Sequence, residues 1–130
     1  MKVAAAIIKN KDEKFLFYLR DNKPSIPYPN CWSLLGGHVE GDETLEEALR
    51  REIKEEIEYE LPDISFIGSF DDLVGNIVYI FKSEINKPLN EIVLNEGQRL
   101  NFFDFQELMD LEIPRALNSS ARNPLTLVCG

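Results

Sequence analysis

Glu52 and Glu56, in the stretch LRREIKEEIEYE from Leu49 to Glu60, stand one turn apart on any α-helix the segment forms, with Glu55 beside them. Wound at about 100° per residue from Leu45, residues 43–58 separate into two faces. Ala48, Leu45, Leu49, Ile53 and Ile57 fall within an arc of roughly 180°, while Glu43, Glu46, Glu47, Arg50, Lys54 and Glu58 fill most of the remainder. Glu52 and Glu56 break this segregation. Both project from the middle of the apolar arc, between Ala48 and Leu49, and Glu55 sits at its margin near Arg51. An unpaired buried carboxylate costs several kcal/mol, so the pattern calls for a compensating cation or an open cleft. Three acceptor-only side chains this close suit a hard cation.

The rest of the chain must position that helix. VAAAIIK (Val3–Lys9) and KFLFYLR (Lys14–Arg20) are apolar runs joined by NKDE and predict a β-hairpin. The three prolines of DNKPSIPYPN forbid helix or ladder, so a loop leads into Trp32. WSLLGGHVEGDET passes through a glycine pair to the helix start, where Asp42 or Thr44 is the N-cap and Glu43, Glu46 and Glu47 suit the positive end of the dipole. ISFIGSF, NIVYIFKSE and RLNFFDF read as further strands. QELMDLE reads as a short helix, and IPRALNSSA as another with Pro114 in its first turn. Strands on both sides of one strong helix, with helix at the end, predict an α+β protein: an α/β/α sandwich with a mixed β-sheet.

A chain of 130 residues, 44% hydrophobic and 28% charged, is the size of one domain with one core, here 1–130. No stretch approaches the roughly 18 apolar residues of a membrane span, and the N-terminus turns charged too early for a secretory signal. A cytoplasmic protein is expected. Cys31 and Cys129 lack CxxC spacing and are expected to be two unpaired thiols in a reducing compartment. The net charge of −9 argues against nucleic-acid polymers and anionic membranes, which need clustered Lys and Arg. A phosphorylated small molecule would need cations to bridge it to the carboxylates.

Written as spacing, Gly37, five residues, Glu43, seven residues and then Arg51-Glu52-Ile53-Lys54-Glu55-Glu56 resembles the Nudix box, standing here as GHVEGDETLEEALRREIKEEIEY. The resemblance to the Nudix hydrolases (MutT-like) covers Gly37 to Tyr59, and more loosely the Trp before the glycine pair and the C-terminal FFDFQEL. It implies the Nudix-type sandwich and the hydrolysis of a nucleoside diphosphate linked to another group, by attack of water on phosphorus, with Mg2+ or Mn2+ as cofactor. It implies Glu52, Glu55, Glu56 and the carbonyl of Gly37 as metal ligands and an orienting role for Arg51. Some relatives carry a further carboxylate that binds metal or acts as general base, where this chain has Glu96 in LNEGQRL. The choice of base between Glu96 and a box glutamate stays open.

The substrate expected is a nucleoside triphosphate, an oxidised dGTP among the candidates, or a related small nucleotide. A proline of ADP-ribose-cleaving relatives has no counterpart between Asp63 and Lys87, which disfavours that branch. The alternative is a catalytically weak module that senses nucleotides or serves as a scaffold, against which all three box glutamates speak. Trp32, Tyr28 and Phe70 are candidates for stacking on a nucleobase, each weighed against plain packing. His38 reads as a solvated loop residue, and a homodimer is left open. The box departs from its pattern at Glu58, where the family has glycine. The helix is expected to run through Glu58 and fray towards Pro62 without a left-handed residue, and a change at Glu58 is expected to leave kinetics within a few-fold.

Overall fold

A computed structural model of the chain describes residues 1–26, 28–72 and 74–110 and the backbone of 127–129. Its elements are β1 (Lys2–Lys9), β2 (Phe15–Leu19), β3 (Cys31–Ser33), β4 (Leu35–His38), α1 (Leu45–Ile57), β5 (Ser65–Asp71), β6 (Ile77–Glu84), a 3-10 turn (Leu89–Glu91), β7 (Arg99–Phe103), α2 (Phe105–Asp110) and β8 (Leu127–Cys129). The helix expected in IPRALNSSA lies outside the described residues.

β1 takes a partner on each edge. It pairs parallel with β6 from Lys2↔Ile77 to Lys9↔Glu84, and antiparallel with β4 from Val3↔His38 to Ala6↔Leu35. With β5 antiparallel to β6, this gives a mixed sheet in the order β4-β1-β6-β5. β2 meets β1 at Lys9↔Phe15, then carries β7 on one edge and β3 followed by β8 on the other, all antiparallel. Period-two alternation sends neighbouring side chains to opposite faces. Ala4, Ala6, Ile8 and Leu16 pack with Leu49, Ile53 and Ile57 of α1, whereas Ala5, Phe17, Leu19 and Trp32 pack with Phe103 and with Leu108 of α2. The two helices therefore cover opposite faces, which is the expected α/β/α sandwich. β3 and β4, of three and four residues, escape a reading from sequence because prolines precede them and a glycine pair, weak in strands, interrupts the pattern.

Cys31 is disulfide-bonded, and the β3–β8 register sets it opposite Cys129. The expectation of two unpaired thiols is corrected: distance along the chain is no obstacle once antiparallel pairing brings two Cα atoms within disulfide reach.

Thr44 is the N-cap of α1 and forms a full capping box: its hydroxyl accepts from Glu47 N at 3.1 Å and the Glu47 carboxylate accepts from Thr44 N at 2.8 Å. At the other end the expectation fails. The helix stops at Ile57, and Glu58 takes the left-handed conformation, φ 52° and ψ 44°, its N–H donating to Lys54 O. The chain keeps the geometry that the box glycine would favour without the glycine, at a cost of about 1 kcal/mol. Glu58→Gly should therefore raise stability by roughly 0.5–1 kcal/mol, the relief of strain exceeding the one exposed hydrogen bond lost. Urea unfolding checks this, and a lowered midpoint would show that the lost bond outweighs the strain.

Candidate active site

Three segments of the chain meet at one cavity of about 420 Å³: α1 contributes the carboxylates of Glu52 and Glu56, the loop before β7 contributes that of Glu96, and β4 supplies Gly36 and Gly37 as the opposing wall. The glycine pair is what lets helix and strand approach. A Cβ on Gly37 would come within 2.6 Å of both Glu52 carboxylate oxygens, and one on Gly36 would run into the backbone of Ala4 and Ala5 on β1. With no side chain in the way, Gly36 N donates to Glu56 Oε1 at 3.0 Å. The glycines thus serve as seats for the two carboxylates that the helical wheel places on the apolar arc.

Glu56 is 2% exposed. Burial, reinforced by the negative charges of Glu96 and Glu52 and opposed by the Gly36 N–H, pushes its carboxyl up to about 9. Glu52 is also raised, chiefly by burial, with Arg51 opposing. Arg51 gathers the surrounding acceptors. Its Nε and Nη2 form a bidentate pair with Glu43 at 2.6 and 3.0 Å, Nη1 reaches Glu52 at 2.9 Å and Glu55 at 3.3 Å, and Nη2 also donates to His38 O at 3.0 Å. Glu43 thereby ties the loop to the helix, and its carboxyl is held below the usual range by the Arg51 hydrogen bond.

Of the residues singled out from sequence, Gly37, Glu52, Glu56, Glu96, Tyr28 and Phe70 line this cavity, as does His38. Arg51 and the exposed Glu55 border it through the Arg51–Glu52 contact. Trp32 is not brought to it. Its ring is buried in the second core, edge-on to Phe103 at 4.9 Å with Arg99 over its face. The sequence reading missed Tyr18, Arg20, Asp72 and Asn76, which also line the cavity. Arg20 Nη1 donates to Tyr18 Oη at 3.1 Å, and burial raises the phenol to about 12. These come from strand ends and a hairpin far apart in sequence, and no local spacing marks them.

Among the described residues no three acidic, histidine or cysteine side chains stand close enough to hold one ion as they lie. Arg51 draws Glu52 and Glu55 to one side while Glu56 faces Gly36. The donor set nevertheless suits a divalent cation. Glu56 is buried, its carboxylate accepts from the backbone N–H of Gly36, and the negative charges of Glu52 and Glu96 repel it.

A family model described as NUDIX domain matches residues 1–125. The ADP-ribose pyrophosphatase of Methanocaldococcus jannaschii is 50% identical over 54 residues, 42% of this chain and 30% of that one. The nucleoside triphosphatase NudI of Salmonella agona is 40% identical over 55 residues, 42% of this chain and 38% of that one. The matched stretch is thus about a third of these relatives' length. The crystal structure of a MutT NUDIX hydrolase from Burkholderia pseudomallei superposes with a TM-score of 0.72 at 25% identity, covering 95% of this chain and 94% of that one. Among the described residues no helix is long and apolar enough to cross a membrane.

Proposed function

The chain belongs to the Nudix family, and from that membership we propose that it is a metal-dependent pyrophosphohydrolase of small nucleotides. The proposed reaction is attack of water on a phosphorus of the diphosphate linkage in a nucleoside triphosphate, an oxidised dGTP included, or in a related nucleoside diphosphate derivative. The observation that carries this reading is the convergence of Glu52, Glu56 and Glu96 on one cavity, with the Glu56 carboxylate buried and seated on the Gly36 N–H.

Glu52, Glu55, Glu56 and the carbonyl of Gly37 are the residues we assign to Mg2+ or Mn2+, which when bound would neutralise diphosphate charge and lower the pKa of water. Arg51 fixes the rotamers of Glu52 and Glu55 and is itself held by Glu43, so removing it would loosen both carboxylates. To Glu96, which reaches the cavity from a separate loop, we assign acceptance of the proton from the attacking water. Tyr28 and Phe70 offer ring faces, and Val78 and Ile80 an apolar floor, for the nucleoside.

The names of the two relatives point to ADP-ribose and to nucleoside triphosphates, so a test must include both. A panel of nucleoside triphosphates, oxidised dGTP and ADP-ribose incubated with the protein and Mg2+ should yield a nucleoside monophosphate from at least one member and none with EDTA. Separating pyrophosphate from orthophosphate identifies the bond broken. No turnover of any member with either metal would overturn the reading.

A further inference from the structure

Glu96 has no side-chain hydrogen bond or ion pair among the described residues and is itself exposed, so its place in the cavity is set by its backbone. That backbone is pinned on both sides. Downstream, Gly97 at φ 83° lies so close to β2 that a Cβ would come within 2.6 Å of the Tyr18 ring. Gln98 N then donates to Leu19 O at 2.8 Å, and Gln98 Nε2 donates to Arg20 O at 2.8 Å and Asn30 Oδ1 at 3.0 Å. Upstream, Asn95 is bonded to the end of α1. Its N donates to Glu56 O at 2.8 Å, and its Nδ2 donates both to Glu55 O and to Glu58 Oε2 at 2.9 Å.

We propose that Glu58 and Asn95 form a clamp that positions Glu96, and that the glutamate standing in place of the box glycine is a positioning residue acting through Asn95. Two of the four carbonyls that a helix end leaves unpaired are met by Asn95. Its amide has a choice of acceptors and rotamers, and the carboxylate of Glu58 selects one of them. With residue 58 left-handed, its carboxylate lies within hydrogen-bond reach of Asn95. Glycine would supply that turn of the backbone but no carboxylate to hold the amide. The clamp joins the helix that carries Glu52 and Glu56 to the loop that carries Glu96, so the spacing among the three carboxylates depends on it.

The proposal rests on the role assigned to Glu96 above, and the experiment separates the two. Amide hydrogen exchange on the metal-free protein needs no activity: Asn95 N and Gln98 N should exchange about tenfold faster or more in Asn95→Ala and in Glu58→Gly, while amides of β1 keep their protection. In steady-state kinetics both variants should lose about fivefold in kcat with little change in KM, and Glu58→Gln, which keeps an acceptor for Asn95, should recover most of it. In a Glu96→Gln background, Glu58→Gly should have no further effect. Equal losses with and without the Glu96 carboxylate, or unchanged exchange and kcat in both clamp variants, would overturn the clamp. If Glu96→Gln alone leaves kcat at the parent value, the role given to Glu96 fails instead, and the exchange data still decide whether the clamp holds the loop.

Discussion

Glu56→Gln should lower kcat by roughly a hundredfold or more on whichever nucleotide the protein hydrolyses, while the folded protein in EDTA becomes more stable. Glutamine keeps the shape of the side chain and an oxygen to accept from Gly36 N, so the seat on β4 survives. What it removes is the charge, and the charge is the reason for a carboxylate at a position where 2% of the residue is exposed. Without metal that charge is a burden, buried and repelled by Glu96 and Glu52; with a divalent cation it becomes a ligand. Loss of function together with gain of metal-free stability is the signature of a binding group, since a merely structural residue would lose both. Glu46→Gln, on the exposed face of the same helix, is the control and should change stability by less than about 0.5 kcal/mol. A folded Glu56→Gln protein with near-parental kcat would remove Glu56 from the site.

The helix and its carboxylates are legible in the sequence because everything that defines them is local. A 3.6-residue period separates Leu49 and Ile53 from Glu46 and Lys54, and two glutamates on the wrong side of that division need no partner from elsewhere to be noticed. Gly37 follows from the spacing that resembles the Nudix box, and the structure supplies its physical reason in the Glu52 carboxylate beside it. The left-handed turn at Glu58 is not legible locally, since Asn95, which meets the end of the helix there, is brought to it only by the folded chain. The surroundings of Cys31 and Trp32 are set from equally far away. The disulfide needs β8 opposite β3, and the indole is taken up by Phe103 and Arg99 from β7, so neither residue type nor local spacing could say which surface each would meet. Tyr18 lies on β2 and Arg20 just past its end, and the alternation of that strand reveals a buried face but not that a cavity opens beside it.

The metal-free protein should become less stable as pH rises from 6 to 8.5, and Mn2+ or Mg2+ should abolish much of that loss. In the unfolded chain Glu56 titrates near the ordinary value of 4.5; in the fold it is raised to about 9. A carboxyl raised in this way contributes stability that is fully present below the unfolded value and is lost as pH climbs through the folded one. Between the two the native state holds a proton that the unfolded state has released, and stability falls by at most about 1.4 kcal/mol per pH unit. Glu52 is raised too and acts in the same direction. Glu43, Glu60 and Asp72 are lowered, so their contributions disappear only below the usual carboxylate range, and Tyr18 acts only above about 10. The window from 6 to 8.5 therefore isolates the cavity carboxylates. A drop of roughly 2–3 kcal/mol across it corresponds to a fall in Tm on the order of 10 °C for a domain of this size. A divalent ion takes the place of the proton, which makes its stabilisation larger at pH 8.5 than at pH 6. Thermal melts in EDTA and in millimolar Mn2+, run on the parent and on Glu56→Gln, decide the matter. The variant should show a flatter pH profile and a smaller response to metal, whereas the same slope and the same metal shift in both proteins would mean that neither proton nor ion is held at Glu56.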